Sequence, residues 1–163
     1  MLKIFLKIIL LNVSVIGIYI SSLLLIFAIS YEYLGGLIPC KMCLWQRWLH
    51  VGIILLCFTS IFLYKIKQLI LFLTASLSLV SFIVAGWHSG IEIGIFPSPN
   101  ICLDNSILET KINLKEFLNK SIISCDVILW SFLGLSMASW NTIISFLLSV
   151  LYYLATFYKG EIK

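Results

Sequence analysis

Four long apolar runs separated by short polar segments dominate the amino-acid sequence. They cover roughly residues 8–29, 48–64, 68–86 and 128–157, and none of them contains Asp, Glu, Lys or Arg. A helix needs ~17 to 25 apolar residues to cross the hydrocarbon core of a membrane, and each run reaches or exceeds this length. The pattern predicts an all-α membrane protein, built as a four-transmembrane-helix bundle.

The polar segments between these runs predict the loops. The fourth run has about thirty residues, so we place its helix at roughly 138–157, beginning after Gly134 or Ser139, with the preceding aromatic residues at the membrane interface. The loops that follow the first and third helices then cover roughly residues 30–47 and 87–130. No Pro/Gly/Ser-rich linker divides the chain, which predicts a single integral membrane domain over its whole length.

The long loop contains one amphipathic stretch. Apolar and small residues recur there at helical spacing, with charged and amide residues between them: Leu114, Phe117, Leu118, Ser121 and Ile122. The spacing predicts a short helix, which either lies along the membrane surface or packs as an ordinary loop helix.

Composition supports a membrane protein and argues against other classes. The 163 residues are 61% hydrophobic and 11% charged, with a mean hydropathy of +1.11, whereas an ordinary soluble domain is about a quarter charged. The net charge of +4 comes from scattered basic residues, without the patch that nucleic-acid binding needs. No glycine-rich phosphate loop appears, so no nucleotide site is expected.

The basic residues predict the orientation in the membrane. Pairs of lysines precede the first helix, occupy the short second loop and close the chain: Lys3 with Lys7, Lys65 with Lys67, and Lys159 with Lys163. Because lysine favours the cytoplasmic side, we expect both termini there and the two cysteine-bearing loops outside. The alternative is a signal peptide cleaved near Ala28 and Ser30, but its apolar core of about 22 residues exceeds the ~7 to 15 of a signal core.

Five cysteines carry the candidate chemistry. Cys40 and Cys43 lie in the first loop, Cys102 and Cys125 in the long loop, and Cys57 near the middle of the second helix. The four loop cysteines share the predicted extracytoplasmic side, where disulfides form and persist. A Cys-x-x-Cys ring is tight and easily reduced, so the first pair is the candidate catalytic pair and the second pair the exchangeable one.

The Cys-x-x-Cys pair leads directly into the second helix, which places its sulfurs at or within the first helical turn. A helix N-terminus stabilises a thiolate and presents unpaired N–H groups. Zinc also uses this spacing, but a second such pair is missing, and His88 could reach the first pair only if the loop folded back. We therefore expect no metal. Two purely structural disulfides are the other alternative.

Three further residues are candidates for the same site. Arg47 lies one helical turn after Cys43, where it could favour the thiolate and donate to a carbonyl oxygen that gains negative charge, or extend to the headgroups. His88 follows the third apolar run and is a candidate proton donor or an ordinary interfacial histidine. His50 continues the face of Arg47, but we interpret it as a packing residue and Cys57 as an inert apolar one.

One segment resembles the active-site motif of the DsbB family, in which Pro-Cys-x-x-Cys is followed by an acidic or amide residue and arginine: Pro39-Cys40-Lys41-Met42-Cys43-Leu44-Trp45-Gln46-Arg47. Two groups of residues are similar to the start and the end of that family's second periplasmic loop: His88, Pro97-Ser98-Pro99 and Cys102, then Cys125-Asp126, Trp130-Ser131-Phe132-Leu133-Gly134-Leu135 and Met137-Ala138-Ser139-Trp140. The resemblance covers nearly the whole chain, and the combination is more specific than any single motif.

The resemblance implies a membrane thiol:quinone oxidoreductase that supports disulfide bond formation in the bacterial inner membrane. Its cofactor would be a quinone, ubiquinone or menaquinone, drawn from the membrane pool. Three residues would contact it: Cys43, Arg47 and His88. Its partner would be a DsbA-like thioredoxin-fold thiol oxidase of the periplasm, whose reduced form attacks the loop disulfide at Cys102. Exchange would then bring Cys125 to Cys40, and electrons would leave through Cys43.

Two departures and two rival classes accompany this resemblance. Position 50 is usually apolar in the family, and Cys57 has no assigned role there. A vitamin K epoxide reductase-like protein also combines four helices, loop cysteines and a quinone, but its Cys-x-x-Cys follows the loop cysteines, whereas here it comes first. A membrane scaffold braced by two disulfides would bind no quinone, and its disulfides would resist exchange.

Overall fold

The computed structural model describes residues 12–36, 39–99, 125–128 and 130–157. The helices of this part of the chain are α1 (Val13–Tyr33), α2 (Lys41–Phe62), α3 (Lys67–Glu92) and α4 (Met137–Phe157). Each is long and apolar enough to cross a membrane. Two short antiparallel strands, β1 (Ser131–Phe132) and β2 (Leu135–Ser136), precede α4. The predicted bundle of four transmembrane helices is confirmed.

The second and third helices extend further than the apolar runs predict. α2 begins at Lys41 rather than near Trp48, and α3 continues to Glu92 rather than ending near Gly86. The added turns carry polar side chains, which lower the local hydropathy but find hydrogen-bond partners inside the bundle. α4 begins at Met137, within the window that the sequence predicts.

The two predicted loops are correspondingly too long. α1 continues to Tyr33 and α2 already begins at Lys41, so the loop predicted at residues 30–47 is shorter at both ends. The long loop begins after Glu92 instead of at residue 87. The short helix predicted around residues 114–122 lies outside the described residues.

A tight connection makes α2 and α3 antiparallel neighbours. Leu63 and the single 3-10 turn Tyr64–Ile66 join the two helices. The start of α2 therefore lies beside the end of α3, as expected for helices joined by a short connection. α3 also packs extensively against α4, and α1 against α2, which completes the bundle.

Small and hydroxyl side chains lie between the helices. Ser81 of α3 and Ser145 of α4 have their Oγ atoms 3.1 Å apart, and those of Ser14 in α1 and Ser60 in α2 are 2.6 Å apart. In a membrane, small side chains let helices approach closely, and hydroxyl pairs hold them together.

The largest buried cluster lies in the half of the bundle remote from the Cys-x-x-Cys pair: Val13, Ile53, Cys57, Leu71, Ala75, Leu148 and Tyr152. Gly17 provides the space for Tyr152 here, because a Cβ on Gly17 would lie 1.5 Å from Tyr152 Oη. The sulfur of Cys57 lies 3.0 Å from the same oxygen. These contacts agree with the interpretation of Cys57 as a packing residue.

A two-residue turn shapes the hairpin before α4. Leu133 and Gly134 have φ angles of 54° and 79°, the left-handed conformation that a type I′ turn requires at both positions. Ser136 Oγ then accepts a hydrogen bond from Ser139 N at 3.1 Å and caps α4. The hairpin, which the sequence analysis does not predict, covers the end of the bundle that holds the cysteine pair.

Candidate active site

Cys40 and Cys43 form a dithiol at the first turn of α2. Cys40 occupies the N-cap position with a ψ of 166°, and its Sγ accepts the backbone N–H of Cys43 at 3.2 Å. The two sulfurs lie 3.0 Å apart, and both thiols are free. A side-chain acceptor at the N-cap satisfies one of the unpaired N–H groups of the helix. The predicted position of the pair at the start of a helix is confirmed.

His88 lies beside this dithiol on the neighbouring helix. Its Nε2 is 3.5 Å from Cys40 Sγ, and only 3% of the residue is exposed. His88 therefore lies level with the pair, and it belongs to α3 rather than following the third transmembrane helix. Because α2 and α3 are antiparallel, the contact requires no folding back of the long loop.

Glu92 is a residue of this site that was not predicted from the sequence. Its Oε1 lies 4.0 Å from His88 Nε2, and its Oε2 accepts a hydrogen bond from Ser136 Oγ. Glu92 follows His88 by one helical turn, which puts the two on one face of α3. That spacing could have identified Glu92 only if the helix had been extended past the apolar run.

The surroundings of Cys40 favour its thiolate. A hydrogen bond with the thiol of Cys43 is the main cause that lowers the pKa of Cys40. Hydrogen bonds with His88 and with the Cys43 N–H lower this pKa further, whereas burial raises it. The net effect lowers the pKa of Cys40 from 9.0 to about 4. Cys40 is therefore ionised at neutral pH, as expected for a reactive thiol at a helix N-terminus.

Cys125 lies in the same buried cluster as the dithiol. It is disulfide-bonded and 1% exposed, and it packs with Cys40, Met42 and Ile91. A backbone hydrogen bond also joins Cys125 to His88. The structure thus brings a disulfide-bonded loop cysteine next to the free pair. The remaining predicted residue, Cys102, lies outside the described residues.

Arg47 extends toward α1. Its Nη1 donates to the carboxylate of Glu32, and its Nη2 donates to the carbonyl oxygen of Ala28 at 3.0 Å. Among the described contacts none joins Arg47 to Cys43, so the dithiol is held by His88 and by backbone N–H instead. Glu32 was not predicted from the sequence, although a carboxylate at the end of an apolar helix indicates a paired charge.

Gln46, His50 and Asn141 form a buried hydrogen-bonded group behind His88. Gln46 Nε2 lies 3.0 Å from His88 Nδ1, and His50 Nε2 lies 2.7 Å from Asn141 Oδ1. The interpretation of His50 as a hydrogen-bonded residue of the interior agrees with these contacts. Asn141 was not predicted from the sequence, although an amide inside an apolar helix indicates a buried partner.

A largely apolar cavity of about 580 Å³ borders the dithiol. Its polar lining comes from these side chains: Glu32, Cys40, Cys43, Gln46, Arg47, His50, His88, Glu92 and Asn141. Aromatic rings form another part of the lining, where Trp130 and Phe132 stack with ring centroids 6.0 Å apart and planes 3° apart. A flat ring with carbonyl groups fits such a cavity, because aromatic walls accept its faces and Arg or His donors reach its oxygens.

Cys40, Cys43 and His88 are also grouped closely, with their ligand atoms within 4.8 Å of one another. Zinc–sulfur bonds of about 2.3 Å in a tetrahedral site would separate two thiolates by about 3.8 Å. The sulfurs here lie 3.0 Å apart, closer than a zinc site holds them. The expectation that the dithiol holds no resident metal stays a prediction.

This four-helix membrane protein has a free dithiol at a helix N-terminus, and one of the two thiols has a low pKa. A disulfide-bonded cysteine lies beside the dithiol. Together these features define a membrane thiol–disulfide oxidoreductase. Comparison with known proteins gives the family. The family model of disulfide bond formation protein DsbB matches residues 12–155, and the chain belongs to the DsbB family. It is thus a multi-pass membrane disulfide oxidoreductase of the disulfide bond formation system.

Two relatives carry the name disulfide bond formation protein B. The protein of Herminiimonas arsenicoxydans is 30% identical over 148 residues, which is 86% of this chain and 90% of the relative. That of Mannheimia succiniciproducens is 32% identical over 141 residues, 80% of this chain and 77% of the relative. An uncharacterized protein of Rickettsia prowazekii is 25% identical over 154 residues, 92% of this chain and 90% of the relative. No solved structure matches the chain.

Proposed function

We propose that this protein reoxidises a DsbA-like thiol oxidase of the periplasm and passes the electrons to a quinone. One observation carries the proposal: the dithiol of Cys40 and Cys43 borders both an aromatic-walled cavity and the buried, disulfide-bonded Cys125. A relay needs both neighbours, since electrons must arrive through the loop cysteines and leave toward an acceptor.

Thiol–disulfide exchange brings the electrons to the long loop first. The two thiols of the reduced partner attack the disulfide that we assign to Cys102 and Cys125. The partner disulfide forms, the loop disulfide breaks, and two electrons and two protons reside on the loop thiols.

A second exchange reduces the pair on α2. Cys125 attacks the sulfur of Cys40 in the oxidised pair and releases Cys43. Cys102 then attacks Cys125, so that the loop disulfide re-forms and Cys40 leaves as a thiolate. The low pKa of Cys40, about 4, makes it a good leaving group in this step. The two electrons and two protons now belong to the dithiol.

The cavity is the proposed quinone site, and its residues fit this ligand. A quinone held there would supply the acceptor for the two electrons and two protons of the dithiol, whose disulfide would re-form as quinol is released. Cys43 lines the cavity and is the thiol that we assign to face the ring. Arg47 uses two of its five N–H donors on Glu32 and Ala28, so it can also donate to a carbonyl oxygen. His88 Nε2 lies 3.5 Å from Cys40 Sγ, where a ring N–H can donate to the dithiol.

The proposed orientation puts this chemistry on the periplasmic face of a bacterial inner membrane, with both termini in the cytoplasm. The lysine pairs near both termini and in the α2–α3 connection support it. An oxidising compartment outside the membrane is also where the loop disulfide persists.

Anaerobic mixing tests the function. The purified protein is combined with a reduced DsbA-like protein and a short-tailed quinone, while quinone absorbance and partner thiols are followed. We expect quinol and partner disulfide in equal amounts over many turnovers, whereas Cys43→Ser should form no quinol and at most one partner disulfide per protein molecule, from its loop disulfide. Cys57→Ser is the matched control, because Cys57 lies on the same helix but belongs to the packing core, and it should retain activity. Failure to reduce any ubiquinone or menaquinone analogue would overturn the proposal.

A further inference from the structure

A run of hydrogen-bonded polar side chains, which we call the polar chain, crosses the bundle from α1 to the dithiol. Its members in order are Ser21, His50, Asn141, Gln46, His88 and Cys40. None of the six is more than 8% exposed. Polar groups in the interior of a membrane bundle are costly without partners, so an unbroken series through all four helices indicates a selected arrangement.

The amide of Asn141 gives the polar chain its direction. Its Nδ2 donates to Gln46 Oε1 at 2.8 Å, and its Oδ1 accepts from Ser145 Oγ at 3.2 Å. Because Oδ1 can only accept, the Nε2 of His50, 2.7 Å away, carries a hydrogen. In a neutral ring Nδ1 of His50 is then an acceptor, and the hydroxyl of Ser21 donates to it over 3.3 Å.

The amide of Gln46 transmits this direction to His88. Its Oε1 already accepts from Asn141, so its Nε2 faces His88 Nδ1 as a donor at 3.0 Å. An amide nitrogen cannot accept, so Nδ1 of His88 accepts and the ring hydrogen lies on Nε2. That nitrogen faces acceptors, Cys40 Sγ at 3.5 Å and Glu92 Oε1 at 4.0 Å.

We propose that the polar chain holds His88 in the one tautomer whose Nε2–H faces the sulfur of Cys40. His50, Asn141 and Gln46 are positioning residues, because they act on the thiol only through His88. In the opposite tautomer a ring lone pair would face the thiolate and repel it. The catalytic meaning rests on the function proposed above, in which the same hydrogen stabilises Cys40 as it leaves.

Nitrogen NMR of the imidazole rings tests the tautomer directly, because the chain has only two histidines. The full-length, reduced protein is labelled in its histidine rings with the heavy nitrogen isotope and studied in micelles at alkaline pH, where both rings are neutral. The signals that disappear in His88→Gln belong to His88. We expect both neutral rings to carry their hydrogen on Nε2 and to have an unprotonated Nδ1. A neutral His88 ring with its hydrogen on Nδ1 would overturn the proposal.

A break in the polar chain should release the tautomer. In Asn141→Leu, Gln46 loses its donor and can turn around, so both tautomers of His88 should be populated and each ring nitrogen should give an averaged shift. Thr142→Val is the matched control on α4, because its hydroxyl bonds to Ala138 O of its own helix at 2.8 Å. It should leave the His88 signals unchanged.

A second variant covers the case in which Asn141→Leu does not fold. Gln46→Met has nearly the same shape as glutamine and removes the donor to His88 Nδ1, so it should give the same averaged signals. A folded Gln46→Met or Asn141→Leu protein whose His88 keeps a single tautomer would overturn the positioning role.

Kinetics separate this inference from the proposed function. In an active enzyme, Asn141→Leu should slow the reduction of the Cys40–Cys43 disulfide by about tenfold, as for a lost hydrogen bond to a charged group, and Thr142→Val should leave this rate unchanged. The NMR measurements involve neither quinone nor partner. A protein that reduces no quinone but shows the expected tautomers would therefore refute the function and leave the positioning intact.

Discussion

The two thiols of the dithiol are chemically different because only one of them caps a helix. Cys40 accepts the N–H of Cys43 at 3.2 Å and lies 3.5 Å from His88, whereas Cys43 belongs to the first turn of α2. A capping side chain faces the positive end of the helix dipole, which stabilises negative charge there. Cys40 therefore carries the charge of the reduced pair, and the thiol of Cys43 is its hydrogen-bond partner.

Alkylation of the reduced protein at different pH values tests this difference. A thiol with a depressed pKa stays ionised while the pH falls, until the pH reaches that pKa. We expect the alkylation rate of Cys40 to stay level from neutral pH down toward about 4 and to fall about tenfold per pH unit below it. Mass spectrometry of each cysteine peptide gives the rates, and buried Cys57 should react little throughout. A midpoint near 9.0 for Cys40 would contradict the assignment.

The ion pair of Arg47 and Glu32 makes a second prediction at this scale. Their side chains are 20% and 30% exposed, so each charge is largely removed from water. Loss of one partner from a fully buried ion pair costs about 3 to 5 kcal/mol of stability, and partial exposure of the charges reduces that cost. Glu32→Gln should therefore lower the free energy of unfolding by about 1 to 2 kcal/mol. Denaturant titration in micelles measures the loss.

A double-mutant cycle provides the control for that prediction. Because the second substitution removes the unpaired charge, Glu32→Gln with Arg47→Gln should lose less stability than the sum of the two single variants. Strictly additive losses would mean that the two charges do not interact in the folded protein.

The sequence could identify the cysteines, Arg47 and His88 because each belongs to a local motif or directly follows an apolar run. It could not identify the partners of these residues. Arg47 pairs with Glu32 across 15 positions, and Asn141 donates to Gln46 across 95. Such contacts depend on how each helix is rotated about its axis, which hydropathy along one chain does not specify.

At the scale of helices, length and hydropathy predicted the number of crossings but not where each helix ends. The first two turns of α2 contain Lys41, Gln46 and Arg47, which a hydropathy window counts as loop. They are helical because Cys40 caps the first turn and because the polar side chains find partners in the bundle. The hairpin before α4 was missed because two-residue strands carry no periodic signal.

Helix packing predicts opposite outcomes for two glycines. A Cβ on Gly17 would lie 1.5 Å from Tyr152 Oη, whereas a Cβ on Gly86 would meet Thr142 Cγ2 at an ordinary 3.6 Å. Gly17→Ala should therefore lower the free energy of unfolding by about 1 to 3 kcal/mol. Gly86→Ala should be neutral or stabilising by up to about 1 kcal/mol, because alanine favours a helix over glycine. Denaturant titrations of the two variants in the same micelles measure both effects. Equal losses of unfolding free energy would contradict the close contact between Gly17 and Tyr152.

At the scale of the whole molecule, packing and chemistry occupy different halves of the bundle. The largest apolar cluster lies around Tyr152, while the dithiol, His88 and the cavity lie at the other end, to which all four helices contribute. Cys125 reaches this end from the long loop. A disulfide relay needs only one end of the bundle to face the oxidising compartment, so the orientation of the chain decides whether the site can work.

Cysteine labelling in intact cells tests that orientation. All five native cysteines are first replaced by serine. A single cysteine is then placed at one of two exposed positions, Lys65→Cys in the α2–α3 connection or Asp126→Cys directly after position 125. Because Lys65 belongs to the basic segments that favour the cytoplasm, a membrane-impermeant maleimide should label only Asp126→Cys in intact cells and both variants after permeabilisation. The reverse pattern would put the dithiol on the cytoplasmic side, where glutathione and thioredoxin keep thiols reduced, and a relay that exports disulfides could not operate there.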